Sequence, residues 1–296
     1  MKRRGFLGLS AMGSVALMSG ACNQKTVQEN KTESSAILKL ACQEGVAPGD
    51  TLTEKLDFLE EHGFTGIEPG GNGLASRVDD FQKQLNNRKI KVSAIVAGFD
   101  GYLIAVDPAI RKRAMNSMKQ ILEAAGALGS AGLIMVPAFN NQPALPHKQS
   151  REILIEQLQE LGEIAHKNNT YMLLEPLNRR ETYFLRQVAD AAAIARDTES
   201  KGVGVMGDFW HMTWEETSDM GAIISGGEYL QHMHIASRQR RRMPGEDEGD
   251  NYIDGFKALK YINYQKDISL ECWSDNDHRI VIPEAVKLIK EQWEQA

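Results

Sequence analysis

The sequence predicts a single α/β domain in which eight strand–helix units close into a (β/α)8 barrel. Short apolar runs alternate with longer amphipathic runs, and most short runs are continuously apolar, as strands covered on both faces are. The turn after the first run, residues 43–49, lacks the glycine-rich phosphate fingerprint of an open dinucleotide-binding sheet. A chain of 296 residues suits one such barrel.

The predicted elements alternate throughout residues 37–296, with no second domain boundary. The third predicted helix has the clearest start, because Asp107 can cap its first turn and Pro108 suits the first helical position. The predicted strands are 37–42, 65–69, 91–97, 132–137, 171–175, 204–209, 232–236 and 268–273. The predicted helices are 53–62, 78–88, 108–128, 150–168, 185–199, 252–262 and 282–293, with an irregular piece around 215–224.

The first 36 residues have the composition of a targeting segment and a linker. Residues 1–21 contain a paired arginine, a short apolar run and small residues before Cys22, which is the pattern of a twin-arginine export signal. The apolar run is too short to span a bilayer. Residues 22–36 are polar and predict a flexible tether. We therefore expect an exported, periplasmic protein anchored to the membrane by a lipid on Cys22, with a soluble periplasmic form as the alternative.

Charge and cysteine content narrow the expected partners. The formal net charge of −6 gives no basic surface for nucleic acid, so no nucleic-acid partner is expected. After Cys22 only two cysteines remain, Cys42 and Cys272, on predicted strands that would be neighbours in a closed barrel. A disulfide between them is conceivable, but two buried free thiols are the expected state.

Four consecutive predicted strands carry an ionisable residue near the carboxyl end, where barrel enzymes place their chemistry. These residues are Glu175, Asp208, His234 and Glu271. Ordinary hydrogen bonds or ion pairs could satisfy any one of them, but three buried carboxylates together would repel one another. One divalent cation would compensate all three, and three oxygen ligands with one imidazole suit Mn²⁺, Co²⁺, Mg²⁺ or Zn²⁺. We predict one such cation, with Mn²⁺ preferred.

The residues around these predicted ligands resemble a known family as an ordered set. The matching stretches are Glu175-Pro176-Leu177-Asn178-Arg179-Arg180-Glu181, Asp208-Phe209-Trp210-His211-Met212, His232-Met233-His234 and Leu270-Glu271. Together they resemble the xylose-isomerase-like TIM barrels, and most closely D-tagatose 3-epimerase and hydroxypyruvate isomerase. The resemblance covers about residues 37–293.

The resemblance implies roles for individual residues of this chain. It makes the four predicted ligands the metal site, and Glu175 and Glu271 also the acid–base pair. Glu181 and His211 would contact oxygens at the carbonyl end of a sugar. Asn178 and Arg179 would brace the loop. The resemblance also leaves a homo-oligomer open.

The family also places a basic residue after the seventh strand, where it would hold a substrate hydroxyl. Here the arginine-rich run 238–242 is one residue longer than in the family, which leaves Arg240 or Arg241 for this role, and we select Arg240. The other arginines would be solvated or paired with the acidic run at 246–250. His232 would pack beside the site rather than bind substrate.

The expected function is therefore that of a metal-dependent isomerase or epimerase acting on an unphosphorylated ketose or related keto sugar. It would remove a proton next to the carbonyl and pass through a cis-enediolate. A lyase that expels the aglycone of a 3-keto-glycoside would use the same site. An alternative from another class is a non-catalytic surface barrel that binds sugar. An endonuclease of the same superfamily is not expected, because it needs more metals, more histidine ligands and a basic face.

Overall fold

The structure is a computed structural model that describes residues 34–296. All strand pairs in its single sheet are parallel, as expected for strands joined by helical crossovers. The strands are Lys39–Gln43 (β1), Gly66–Glu68 (β2), Lys91–Val92 (β3), Ile95–Val96 (β4), Gly132–Met135 (β5), Tyr171–Leu174 (β6), Val203–Asp208 (β7), Leu230–Ile235 (β8) and Asp267–Leu270 (β9).

The sheet closes on itself and has eight staves. Its strand order is β3-β2-β1-β9-β8-β7-β6-β5-β4. Only Ser93 and Ala94 separate β3 from β4, so these two strands are halves of one stave. One half pairs with β2 and the other with β5, which leaves no free edge. This closure confirms the predicted (β/α)8 barrel.

Eight α-helices lie between the strands of the described chain, and a ninth follows the last strand. The predicted start of the third helix is confirmed, because the Asp107 side chain accepts a hydrogen bond of 2.8 Å from the Ala109 amide. The helices are Leu52–Glu61 (α1), Val78–Leu85 (α2), Pro108–Ala127 (α3), His147–Lys167 (α4), Val188–Asp197 (α5), Phe209–Glu215 (α6), Asp219–Gly226 (α7), Ile253–Tyr261 (α8) and His278–Gln295 (α9).

Two helices, α6 and α9, begin earlier than the apolar pattern indicates, because an aspartate caps the start of each. The strand predicted to reach residue 209 ends at Asp208, whose Oδ1 accepts a hydrogen bond of 2.8 Å from the Trp210 amide and so begins α6. The irregular piece predicted around 215–224 is mostly helical, formed by the end of α6 and by α7. Likewise, Asp277 accepts from the Arg279 amide at 2.9 Å and starts α9 four residues before the predicted position.

The barrel interior has an apolar half and a polar half. The apolar half is a small separate cluster of Ala94, Ile134, Leu173 and Met206, from the staves between β3 and β7. The polar half, on β2, β8 and β9, contains the buried residues Glu68, His232, His234 and Ser269. Most of the remaining core lies outside the barrel, between the strands and the helices. The polar half therefore carries buried groups that need partners inside the barrel.

Cys42 and Cys272 are free thiols, as expected. Burial raises the pKa of both thiols, so both stay protonated near neutral pH. The Cys272 Sγ lies 3.5 Å from the Sδ of Met243. Both cysteines therefore behave as packing residues in this fold.

The predicted export signal, residues 1–21, and most of the predicted tether, 22–36, lie outside the described residues. The first described residues are bound to the connection between α8 and β9. Ser34 Oγ donates to the Lys260 carbonyl oxygen at 2.6 Å, and the Ser35 amide donates to Asn263 Oδ1 at 2.9 Å. Between residues 34 and 296, no helix combines the length and apolar character that a membrane crossing requires.

We expect Gly202→Ala to destabilise the fold, because helix α4 contacts the chain directly before β7. A Cβ on Gly202 would lie 1.9 Å from the carbonyl oxygen of Gly162, and a backbone atom cannot move aside cheaply. The free energy of unfolding should fall by about 1–3 kcal/mol, measured by urea denaturation. Gly45→Ala is the control, since its Cβ would meet no atom within 4 Å. Equal midpoints for the two variants would contradict this packing.

Candidate metal centre and active site

Four side chains converge at the carboxyl end of the barrel. They come from the four adjacent staves β6, β7, β8 and β9, at or just beyond the end of each strand. Each offers one ligand atom, and all four atoms lie within 4.8 Å of one another. The four residues are Glu175, Asp208, His234 and Glu271, so the structure brings the predicted ligand set together.

Strand alternation directs these side chains into the barrel. Leu173 and Met206 belong to the interior cluster, so Glu175 and Asp208, two residues further along their staves, face the same way. Asp208 uses Oδ1 to cap α6, which orients the carboxylate and leaves Oδ2 facing the other ligands. The sequence thus places a helix cap and a ligand atom on one side chain.

The residues present fit one divalent cation. Among the described residues, the buried atoms Glu175 Oε1 and His234 Nδ1 have no hydrogen-bond partner. Glu175 Oε1 and His234 Nδ1 lie 3.8 Å apart. Glu271 Oε2 lies 2.7 Å from His234 Nδ1, but without the geometry of a hydrogen bond. Buried polar atoms without partners are costly, and a cation between them would satisfy both. Three carboxylate oxygens with one imidazole nitrogen are also a suitable ligand set for such an ion.

The two glutamates of the cluster differ in proton affinity. Burial raises the pKa of Glu175, although His234 lies nearby and opposes this rise. Burial alone would also raise the pKa of Glu271, but the adjacent His234 and Arg241 lower it to about 2. The two carboxylates therefore sit in unequal electrostatic environments.

Glu68 is a buried carboxylate at the end of β2 that the sequence reasoning did not include. Its Oε2 lies 2.7 Å from His232 Nε2, and its Oε1 lies 3.0 Å from His234 Nε2. Gln43 Nε2 donates to Oε1 at 3.0 Å. Burial opposes ionisation of Glu68, yet the two histidines lower its pKa well below the usual value. The signal was present in the sequence, because Glu68 lies near the end of a predicted strand as the four candidate ligands do.

The contact between Glu68 and His234 orients the candidate ligand. With Nε2 directed at Glu68, the imidazole presents Nδ1 to Glu175 and Glu271. A carboxylate that is hydrogen-bonded to the second ring nitrogen of a ligating histidine fixes the orientation of the imidazole and raises the basicity of the imidazole. His232, two residues before His234 on β8, contacts the same Glu68 carboxylate. It contributes no atom to the four-residue cluster.

The structure places His211 and Glu181, the residues predicted to contact substrate, on one hydrogen-bond chain. His211 Nδ1 accepts from the Asn178 amide at 3.0 Å, which leaves Nε2 to carry the proton. That Nε2 is buried, has no hydrogen-bond partner among residues 34–296, and lies 3.6 Å from Asp208 Oδ2. The Asn178 side chain also donates to Glu181 Oε1 at 3.1 Å. Asn178 therefore holds both residues at the mouth of the barrel.

Glu215, at the end of α6, is a second residue that the sequence reasoning missed. Its buried carboxylate accepts from the Arg179 amide at 2.7 Å and from Arg179 Nε at 2.8 Å. Burial would raise the pKa of Glu215, but the hydrogen bonds from Arg179 lower it below its ordinary value. This carboxylate anchors the loop that carries Asn178 and Glu181. Nothing in the local sequence distinguishes it from a surface glutamate.

The structure brings Arg241, and not the predicted Arg240, to the ligand cluster. Arg241 Nη2 lies 2.5 Å from Glu271 Oε2 and 3.2 Å from Asp208 Oδ2, and its guanidinium stacks over Trp210. Arg240 is directed away, because its Nε donates to Asp247 Oδ1 at 2.5 Å. Arg241 has a left-handed φ of 57°, and this backbone conformation lets the side chains of Arg240 and Arg241 point in different directions. Arg241 therefore replaces Arg240 as the candidate for holding a substrate hydroxyl.

The buried carboxylate of Asp247 shapes the loop that presents Arg241. Besides Arg240 Nε, it accepts from Ser237 Oγ at 2.5 Å and from the amides of Gln239 and Arg240 at 3.0 and 2.8 Å. Burial would raise the pKa of Asp247, but these donors lower it to about 2. The acidic residue after the arginine run is thus a structural anchor rather than a solvated charge.

Comparison with known proteins agrees with this geometry. A model of the family described as xylose isomerase-like TIM barrel matches residues 56–292. The chain belongs to this family. The family resemblance predicted from the ordered motifs is thereby confirmed, and the matched region contains all four candidate ligands as well as Glu68.

The similar proteins within this family include several sugar epimerases. A 3-dehydro-D-guloside 4-epimerase of Escherichia coli K12 is 28% identical over 239 residues, which cover 77% of this chain and 89% of that protein. A D-psicose 3-epimerase of Ruminiclostridium cellulolyticum is 27% identical over 173 residues, 57% of this chain and 58% of that protein. The solved structure of a 3-keto-D-glucoside 4-epimerase from E. coli superposes with a TM-score of 0.80 at 24% identity and covers 86% of this chain and all of that one, which shows the shared fold.

We expect Glu68→Gln to weaken the binding of Mn²⁺ by about 10–100-fold, because loss of the carboxylate behind a ligating histidine lowers its basicity and frees its ring. Isothermal titration of the metal-depleted protein with Mn²⁺ measures the affinity. Glu44→Gln is the matched control, since Glu44 follows the neighbouring stave β1 but pairs with Arg77 instead of a histidine. Unchanged Mn²⁺ affinity in Glu68→Gln would contradict the orienting role.

We expect Asp247→Asn to lower the free energy of unfolding near pH 7 by roughly 2 kcal/mol, which follows from a carboxyl pKa of about 2 in the folded chain and about 3.9 in the unfolded chain. A lowered folded-state pKa stabilises the fold above the unfolded value, and this stabilisation disappears as the pH falls through about 2. The difference between wild type and variant should therefore shrink below about pH 4. Denaturant unfolding at several pH values measures it.

Asp275→Asn is the control for the Asp247 variant. Asp275 also pairs with an arginine, Arg242 at 2.7 Å, but its side chain is 72% exposed. Exposed pairs of this kind contribute little to stability. A pH-independent difference for Asp247→Asn, or an equal effect of Asp275→Asn, would argue against the buried anchor.

Proposed function

We propose that this protein is a metal-dependent epimerase that inverts a carbon next to the carbonyl of a keto sugar. The observation that carries the proposal is the placement of two carboxylates at the two ends of the ligand arc. Glu175 follows β6 and Glu271 follows β9, with Asp208 and His234 on the staves between them. Two carboxylates so placed can reach a substrate from opposite sides. The sugar epimerases among the similar proteins support this reading.

Each residue of the site has a distinct task in this proposal. A cation held by the four ligands would polarise the carbonyl and the neighbouring hydroxyl of the sugar when bound. One glutamate takes the proton from the carbon next to the carbonyl, and the other returns a proton to the opposite face of the enediolate. His211 donates from Nε2 to a sugar oxygen. Arg241 holds a hydroxyl from the side of Glu271.

The arginine pairing supports an unphosphorylated substrate. Arg238 pairs with Asp219, Arg240 with Asp247 and Arg242 with Asp275, so these guanidinium groups are already engaged by carboxylates. Arg241 is itself shared between two ligand carboxylates. Export of the protein, with Cys22 as the first residue of the mature chain, is proposed from the sequence alone. Export would also bring the protein to sugars that carry no phosphate.

Proton exchange tests the proposed activity directly. The mature protein, loaded with Mn²⁺ in D₂O, should place deuterium on the carbon next to the carbonyl of its substrate in a panel of ketoses and 3-keto-glucosides. EDTA should stop the exchange and leave the far-UV circular dichroism unchanged, because the barrel core does not depend on the ion. A substrate that loses its aglycone would indicate the lyase instead. Ketose binding without exchange would indicate a sugar-binding barrel.

We expect Glu271→Gln and Glu175→Gln each to lower net epimerisation by about 10²–10⁴-fold, the usual contribution of a positioned acid–base group. If each glutamate serves one face, each variant should still exchange the proton of one epimer with solvent without converting it to the other. Deuterium incorporation and epimerisation are measured together at saturating Mn²⁺.

Asp208→Asn is the control for these two variants. Asp208 contributes a ligand atom and a helix cap but is given no proton-transfer role, so its activity should follow metal occupancy and recover in part with excess Mn²⁺. Near-normal epimerisation by Glu271→Gln would refute the two-carboxylate mechanism and direct the search for a base to Glu181 and His211.

A further inference from the structure

A separate pocket opens beside the candidate active site at the mouth of the barrel. It has a volume of about 360 Å³, within the range of small-molecule sites. Residues 139–142, in the loop after β5, form one wall, and Arg180 and Glu181, in the loop after β6, form the other. Because β5 and β6 are neighbouring staves, the pocket lies on the Glu175 side of the site, away from Glu271.

Backbone hydrogen bonds hold the two walls of this pocket together. The Asn140 amide donates to the Glu181 carbonyl oxygen at 2.8 Å, and the Asn140 side chain donates to the Arg179 carbonyl oxygen at 3.0 Å. Within the first wall, the Phe139 amide donates to Gln142 Oε1 at 2.8 Å. The pocket is therefore formed before any ligand enters, which lowers the entropic cost of binding.

The groups that face the pocket suit a neutral sugar ring. Phe139 is 39% exposed and offers an aromatic face to C–H bonds. In the described chain, the amide of Asn141, the Nε2 of Gln142 and the guanidinium of Arg180 have no hydrogen-bonding or charged partner, although Arg180 stacks over Trp214. Arg180 and Glu181 balance each other in charge. An aromatic face surrounded by free donors and acceptors, with no net charge, matches a polyhydroxylated ring better than an anion.

The pocket is connected to the reaction site through one residue. Glu181 lines the pocket and also accepts from Asn178, whose amides bind His211 next to Asp208. A substrate that reaches from the ligand cluster past Glu181 would therefore place its next group in this pocket.

We propose that this pocket binds the second sugar ring of a glycoside whose keto ring lies at the ligand cluster. The proposal rests on the proposed function and narrows its substrate class from keto sugars in general to keto-glycosides with at least two rings. The reacting ring is held by the ligand cluster, and the neighbouring ring contacts Phe139 and Gln142. Binding of the remote ring helps to position the reacting carbon, so it should raise kcat and not only lower KM.

The test compares two substrates with the same reacting ring, methyl 3-keto-glucoside with one ring and a 3-keto-glucosyl-glucose disaccharide with two. For the mature enzyme loaded with Mn²⁺, the kcat/KM of the two-ring substrate should exceed that of the one-ring substrate by about tenfold, because the second ring adds contacts. Phe139→Ala and Gln142→Ala should each bring this ratio close to 1.

Trp273→Ala is the matched control, because Trp273 is another exposed aromatic of the mouth but follows β9 on the Glu271 side. It should keep the ratio. The subsite is overturned, and the proposed function kept, if wild type processes both substrates equally, if Phe139→Ala lowers both without changing the ratio, or if Trp273→Ala removes the preference instead. Absence of proton exchange with both substrates, when a ketose is exchanged, would also overturn the subsite and keep the proposed function. Absence of exchange with these substrates and with every ketose would overturn both.

Discussion

A single buried carboxylate, Glu68, determines how the centre of this barrel is arranged. It lies inside the sheet with no exposed surface, and its contacts with His234 and His232 lower its pKa and so keep it ionised. A buried carboxylate without such partners would be protonated or would destabilise the fold. Because Glu68 occupies Nε2 of His234, the imidazole can offer only Nδ1 to the mouth. The direction of the candidate ligand His234 toward the three carboxylates follows from this contact.

The loops around the mouth are organised by the same kind of interaction. Glu215 and Asp247 are buried carboxylates that collect main-chain amides and arginine side chains from the loops after β6 and β8. Such hydrogen bonds to a charged acceptor are stronger than those between neutral groups. They hold Asn178 and Arg241 in place without regular secondary structure. The candidate site thus combines candidate ligands at rigid strand ends with candidate substrate-binding residues on loops that are anchored by buried charge.

The sequence was sufficient to predict the barrel and the convergence of the four candidate ligand residues because both depend on local periodicity. Continuous apolar runs mark buried parallel strands, and ionisable residues near the carboxyl ends of parallel strands lie at the same end of a closed barrel. Glu68 was within reach of the same reasoning, since it lies next to the end of the second predicted strand. The choice between Arg240 and Arg241 was not, because it depends on a left-handed residue that reverses the side-chain direction within one position. The early start of α6 at Phe209 depends on a cap that competes with strand propensity.

The division of the barrel interior into an apolar half and a polar half has a consequence for how this sequence can change during evolution. Ala94, Ile134, Leu173 and Met206 are held by volume alone, so each can be exchanged for another apolar residue when a neighbour compensates. Glu68, His232 and His234 are held by charge, and replacing any one leaves a buried group without its partner. Intermediate states with one or two of the three would be selected against. Within a lineage of such barrels, positions 68, 232 and 234 should therefore be retained or lost together, whereas the opposite half of the same interior drifts one residue at a time.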